Sequence, residues 1–218
     1  MDPDGTNDRV DQSSTVVVRP TDPNEKTGPL GWGPDHLITA EDELIYTVYF
    51  ENVSTASAAA QEVFVRDYLD SDLDWTTFRV LGGGWGDTVL DLPAGGVGEL
   101  NQRVTIPDFR PDVDKSWWVD VRSNLNLTTG LVQWTFRTLD PATGELPEDP
   151  FAGFLPPNDA TDRGQGYIQF AVKQRPNNPD GTVITNKATI IFDTEKSIET
   201  NELMNVVGEV PTPGWLIK

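Results

Sequence analysis

The chain has no cysteine, a single histidine, and fewer than half as many basic as acidic side chains. The missing cysteine excludes disulfides, zinc–thiolate centres and thiol nucleophiles, so a secreted fold must rely on a good core or on bound metal. The one histidine, His36, stands beside Asp35 in a loop with no serine in a nucleophile-elbow pattern, and reads as structural. Sixteen Lys and Arg against 35 Asp and Glu leave a formal charge of −19. Such a surface repels phosphate backbones and anionic lipid, which argues against nucleic acid and membrane as partners, and it attracts cations. No apolar run approaches the roughly 18 residues of a membrane span. The opening MDPDGTND lacks the apolar stretch of a signal peptide, and we expect a module cut from a longer chain. GGGWGD follows a strand pattern but opens no helix, so it is not a phosphate loop.

What is present is β-sandwich grammar. In ELIYTVYFEN, residues 43–52, Leu44, Tyr46, Val48 and Phe50 share one parity, the two-residue period of a half-buried strand. Further strands are predicted at 15–19, 61–68, 75–81, 87–92, 98–106, 116–125, 130–138, 166–173, 182–192 and 203–207, most of them separated by Gly, Pro, Asn or Asp. Only STASAAAQ, residues 54–61, suggests a helical turn. With 37% hydrophobic residues, nine Phe, seven Trp and four Tyr, a core can be built. At 218 residues the expectation is one domain over 15–207, an acidic leader or linker over 1–14, and a tail over 208–218. That tail is a linker, or is docked if Trp215 finds a pocket. The stretch 139–165 carries five prolines and no strand pattern. Its Phe151, Phe154 and Leu155 predict an ordered lid packed on the sandwich rather than a disordered loop.

Two kinds of side chain suggest chemistry. Asp67, Asp70, Asp72 and Asp74 crowd one strand-to-turn junction, Asp22, Asn24 and Glu25 form a second set, and Asn158, Asp159 and Asp162 a third. Asp and Asn mixed with backbone carbonyls are the ligand set of calcium rather than zinc. A solvated acidic surface, with Arg66 relieving the repulsion, is the competing reading. The rival function rests on Trp32 in GWG and Trp85 in GGGWGD, two indoles on glycine-flanked loops that would suit sugar stacking. The alternative for both is a place capping the ends of the core. Trp117 and Trp118, adjacent on a strand, must face opposite sides. Paired carboxylates are too common here to diagnose a glycosidase.

The segments DPNEKTGPLGWGPDHLI, LIYTVYFEN, AQEVFVRDYLDSDLDWTTF, PATGELPEDPFAGFLPPND and GTVITNKATIIFDTEKSIETNE resemble, over residues 20–207, a conserved immunoglobulin-like domain of large secreted and surface proteins of bacteria. The resemblance implies an extracellular or cell-surface β-sandwich with no defined catalytic role. The leader DPDGTNDRVD fails the EF-hand spacing and is similar to the calcium-wrapping repeat of thrombospondin type 3 modules. That likeness implies calcium on Asp2, Asp4, Asp8 and Asp11, with Gly5 permitting the turn. The combined expectation is an all-β immunoglobulin-like sandwich with a long proline-rich loop, serving as a non-catalytic, calcium-stabilised spacer. It would be a monomer whose partners are neighbouring domains of a longer chain. The alternative is a polysaccharide-binding module beside a secreted glycan-degrading enzyme. A hydrolase with its site beneath the proline loop is a third reading.

Overall fold

The computed structural model describes residues 23–210, which form fourteen strands and no helix among the described residues. In chain order these are β1 (Lys26–Thr27), β2 (Leu37–Ile38), β3 (Glu43–Glu51), β4 (Glu62–Tyr68), β5 (Leu73–Trp85), β6 (Thr88–Val89) and β7 (Asn101–Pro107). The second half supplies β8 (Ser116–Leu125), β9 (Leu131–Leu139), β10 (Gln165–Gln174), β11 (Val183–Asn186), β12 (Ala188–Phe192), β13 (Ile198–Glu199) and β14 (Leu203–Val207). A five-stranded sheet in the order β1-β3-β10-β5-β6 faces a six-stranded sheet in the order β13-β12-β4-β9-β8-β7. A small third sheet, β11-β14-β2, contains a parallel pair in which Val206 and Val207 face Leu37 and Ile38. The fold is an all-β immunoglobulin-like sandwich.

The strand alternation sorts the core. Leu44, Tyr46, Val48 and Phe50 are at most 1% exposed, whereas Ile45 between them is 43% exposed. Ile184, Ile190 and Phe192 belong to the same buried cluster. Aromatic rings bridge the two large sheets: Phe50 lies edge-on to Phe136 at 5.3 Å, and Trp134 meets Phe170 at 5.1 Å. Each fully buried side chain of this size contributes about 1.5–3 kcal/mol from the area it removes from water.

Three details depart from the pattern read in sequence. The run 182–192 is two strands: β11 pairs with β14, Lys187 intervenes, and β12 pairs with β4 in another sheet. A strand that changes sheets at a sandwich corner keeps its alternation, so periodicity alone reads it as continuous. The segment 75–81 extends to the 13-residue β5, because Gly82, Gly83 and Gly84 continue the strand. At Gly84 an added Cβ would stand 2.3 Å from the carbonyl oxygen of Thr88, so the tight return into β6 needs a bare backbone there. The Ala-rich stretch is turn and bend, not helix, and ends in a bridge between Ala60 and Leu155. The predicted strand over 15–19 lies outside the described residues, as do the leader and Trp215.

Part of the proline-rich stretch packs on the sandwich. Ala152, Phe154 and Leu155 are buried, and Phe154 stacks on Phe136 at 5.7 Å. Asn52 Nδ2 donates to the carbonyls of Leu155 (2.8 Å) and Ala58 (3.0 Å). Phe151 does not pack: it is 54% exposed, beyond a turn in which its N–H donates to Asp149 Oδ1.

Gly166 tests the packing between β3 and β10. An added Cβ would meet the Phe50 ring at 2.3 Å, and Phe50 is fully buried. Gly166→Ala is expected to destabilise the domain by about 1–3 kcal/mol, the usual cost of overpacking a filled core. Denaturant unfolding measures this, and an unchanged midpoint would contradict the packing.

Candidate functional site

The densest polar constellation lies in the interior, where β1, β4 and β11 converge. Alternation along β4 puts Val63, Val65 and Asp67 on one face, so Asp67 points into the core beside two valines. The same parity runs through Ile184, Asn186, Ala188 and Ile190, which sends the Asn186 carboxamide inward just before the chain changes sheets. Lys26 enters from β1 in the opposite sheet. Its Nζ donates to Asp67 Oδ2, and both side chains are fully buried. Asn186 Nδ2 donates to the other oxygen, Asp67 Oδ1, at 3.0 Å. The ammonium lies over the faces of Tyr46 (4.8 Å) and Phe170 (5.0 Å). The backbone of Lys26 is held twice by Asn201, which accepts from its N–H at 2.8 Å and donates to its carbonyl at 3.0 Å.

Burial governs the electrostatics of this site. Loss of water drives the Lys26 ammonium below its ordinary pKa, and the Asp67 charge opposes that shift. Desolvation likewise drives the Asp67 carboxyl above the usual carboxylate range, against the pull of Lys26 and Asn186. Both groups are therefore pushed towards their neutral forms. Removing one partner of such a buried pair typically costs about 3–5 kcal/mol, because the other is left uncompensated.

Most of the side chains singled out as calcium ligands have partners within the protein. Asp67 is not at the turn but inside, paired with Lys26. Asp70 accepts from the N–H of Asp72 through Oδ1 (3.0 Å) and from Thr185 through Oδ2 (2.9 Å). Asp72 holds Arg175 and Asn178 through its backbone carbonyl, and Asp74 accepts from Thr76. Asp159 accepts from Thr161 and pairs with Arg163 at 2.7 Å, while Asn158 accepts from the Gly164 N–H. Asn24 is buried and accepts from the Glu51 N–H, and Glu25 meets Tyr49 through its backbone carbonyl. Among the described residues no three His, Asp or Glu side chains come together in a way that would hold a metal. Asp2, Asp4, Asp8, Asp11 and Asp22 lie outside the described residues.

The two-tryptophan platform does not form. Trp85 is 4% exposed, its ring edge-on to Phe154 at 5.3 Å and to Phe136 at 6.0 Å, whereas Trp32 is 49% exposed. The cause is the glycine run, which continues β5 instead of ending it in a loop and so carries Trp85 into the core. Trp117 and Trp118 do face opposite sides. Trp117 is buried, and Trp118 lies on the outer face beneath the Arg103 guanidinium at 4.3 Å. His36 is exposed and its Nδ1 is hydrogen-bonded to the Leu30 carbonyl at 2.7 Å, a loop fastening. A concavity of about 690 Å³ lies beneath the proline-rich segment. Its one strongly placed acid, Asp193, accepts from the N–H groups of Gln61 and Glu62 and so caps the start of β4.

Two further ion-pair sets, neither legible in sequence, hold the six-stranded sheet. Glu62, Arg137, Asp120 and Arg103 stand in register across β4, β9, β8 and β7, alternating in sign. Opposite charges paired directly across strands stabilise a sheet. At the sheet's end Asp108 accepts from Arg110 (2.7 and 2.8 Å) and from the Trp117 indole (2.9 Å). Arg110 reaches on to Asp149 at 2.7 Å and so fastens the proline-rich segment.

The Arg110 side chain, with smaller help from the Arg110 N–H and Trp117, lowers the Asp108 carboxyl to about 2. A depressed carboxylate contributes stability that is fully present above its unfolded pKa, about 3.9, and is lost as pH falls towards 2. Acid titration should therefore show loss of stability concentrated between pH ~4 and ~2, and Asp108→Asn should flatten it. At neutral pH the same substitution should cost about 1–3 kcal/mol, read from denaturant unfolding.

Residues 22–85 and 152–206 match a family described as a domain of unknown function, DUF7619. No curated protein matches the chain. Among solved structures it is similar to BspA_C_WT at 11% identity and a TM-score of 0.45, over 84% of this chain and 50% of that one. It is also similar to BcpA, the major pilin subunit of Bacillus cereus, at 13% identity and a TM-score of 0.43, over 84% and 39%. The collagen adhesin of S. aureus follows at 12% identity and a TM-score of 0.41, over 86% and 49%. The chain thus spans half or less of each of these proteins. At such identities the likeness concerns shape alone. The family match covers more than half of the sequence, and the chain belongs to the DUF7619 family.

Proposed function

We propose that this domain is a non-catalytic spacer module of a secreted or surface-attached bacterial protein, carrying load along its length between neighbouring domains. The observation that carries the reading is where the chain enters and leaves. Asn24 and Glu25 contact Glu51 and Tyr49 at the end of β3. At the other pole, the Gly208 N–H donates to Ile38, and Thr39 is tied to Gln174 beside the start of β3. The nine residues of β3 lie between these points, a span of about 30 Å at roughly 3.3 Å per residue. Entry and exit at opposite poles suit a chain-in-series spacer. β1 and β14 both run from the first pole to the second, so a pull on the ends shears the strands rather than peeling them.

The polar groups support the same reading. Asp67, Asp70, Asp108 and Asp193 each tie segments that are distant in sequence or fasten a strand end. The surface location follows the sequence resemblance. Of the similar solved structures, one is a pilin subunit and one a collagen adhesin. No helix among the described residues is long and apolar enough to cross a membrane. Calcium stays in the proposal, most directly through the acids at 2–11 and Asp22, while Asp67, Asp70, Asp74 and Asp159 also hold turns and ion pairs.

Two measurements test this. Spin labels on Glu25→Cys and Glu209→Cys, unambiguous in a chain without other cysteines, should lie about 20–30 Å apart by dipolar resonance. Reporter domains fused to the two ends should then sit at opposite poles in solution scattering, and reporters side by side would end the spacer reading. Millimolar calcium after chelation should raise the melting temperature by about 5–10 °C. If sodium chloride at matched ionic strength raises it equally, screening explains the effect and calcium leaves the proposal.

A further inference from the structure

The interior constellation of Lys26, Asp67 and Asn186 holds more than an ion pair requires. One carboxyl group carries the lysine Nζ on one oxygen and the asparagine Nδ2 on the other. The residues are 1%, 0% and 3% exposed. Asn186 Oδ1 is buried and accepts no hydrogen bond among the described residues. Tyr46 and Phe170 face the lysine nitrogen with aromatic surface. A nucleophilic amine, a carboxamide electrophile and a proton carrier are thus assembled in a site closed to water, the proximity that speeds reactions between held groups.

We propose that Lys26 and Asn186 become joined by an intramolecular isopeptide bond, with Asp67 as the group that moves the protons. The buried pair first exchanges a proton, leaving a neutral amine and a neutral carboxyl, the direction in which desolvation pushes both. A carboxamide can turn over about its terminal torsion, exchanging Oδ1 and Nδ2 in the same space. The Asp67 hydroxyl then donates to Oδ1 and polarises the carbonyl. The Nζ lone pair attacks Cγ, and a tetrahedral centre forms. The Cγ–Nδ2 bond breaks as Asp67 relays a proton from Nζ to the departing nitrogen. The products are a secondary amide between Nζ and Cγ and one molecule of ammonia. Asp67 ends protonated, as it was before attack, and the balance needs no oxidant, metal or cofactor. Asp67 is the proton carrier rather than the electrophile because it alone touches both other groups.

The bond would connect β1 in the five-stranded sheet to β11, next to the point where the chain crosses into the six-stranded sheet. A pull on the two ends would then pass from Lys26 to Asn186 directly. β2 to β10 would be removed from the covalent load path. The bond stands independently of the spacer reading, since its formation is read from mass and not from domain geometry.

Intact mass spectrometry of the denatured full chain should find it lighter than its sequence mass by one ammonia, about 17 Da. Protease digestion should release a branched peptide containing Lys26 and Asn186. Asn186→Ala keeps the Lys26–Asp67 pair and is expected to fold. It should have the full sequence mass and a lower melting temperature. A wild-type chain at full sequence mass overturns the proposal. Loss of water with a Lys26–Asp67 branched peptide overturns the assignment of electrophile and proton carrier. Loss of ammonia without a branched peptide, or persisting in Asn186→Ala, places the reaction at another amide and equally overturns it.

Discussion

A lysine and an aspartate, both sealed from water, constrain this fold more than any other contact. A buried charge without its counter-charge is so costly that both strands must arrive together. Lys26 lies on β1, which has only two residues in register with β3, too few for ladder hydrogen bonds alone to hold it. Its side chain reaches across to Asp67 on the facing sheet, and its backbone is clasped by Asn201 from near the other end of the domain. Asn186 joins the same carboxyl at the point where one strand run divides between two sheets. First strand, facing sheet and closing strands are thus registered against one another at a single place.

Elsewhere the strong acidity is used locally. A charge of −19 invites a search for cation sites. Yet Asp70 and Asp74, after β4, accept backbone N–H groups from nearby residues or from Thr185. Asx-type bonding of this kind fixes tight turns without any ion. Arginines absorb further carboxylates in the ladder across the outer sheet and in the fastening of Asp108 and Asp149 by Arg110. Buried carboxylates, cross-strand charge rows and turn caps look alike in a composition count. They differ only in what stands opposite them.

The tryptophans teach a related lesson about glycine. Trp32 and Trp85 share a glycine-rich setting in sequence, but one lies in a surface loop and the other in the core. Glycine permits a tight loop, and it equally permits a strand to continue where a neighbouring backbone comes too close for any side chain. Gly84 beside Thr88 is the second case. Only the position of the returning β6 separates the two.

The amino-acid sequence by itself determined the class of fold and the buried face of β3. Each depends on a local alternation or on apolar residues that must leave water. The inward direction of Asp67 and Asn186 was also legible, because each shares parity with buried aliphatic neighbours. Grouping Asp67 with the aspartates of the turn obscured it. Lys26 was not legible at all: it stands in a short polar segment without periodicity, and nothing nearby marks it as buried. Tertiary structure alone decided that this lysine meets that carboxyl, that Trp85 enters the core, and that the chain enters and leaves at opposite poles. Those outcomes depend on contacts between segments far apart in sequence, whose energies are set by desolvation and by what stands opposite, and neither is written in any local pattern.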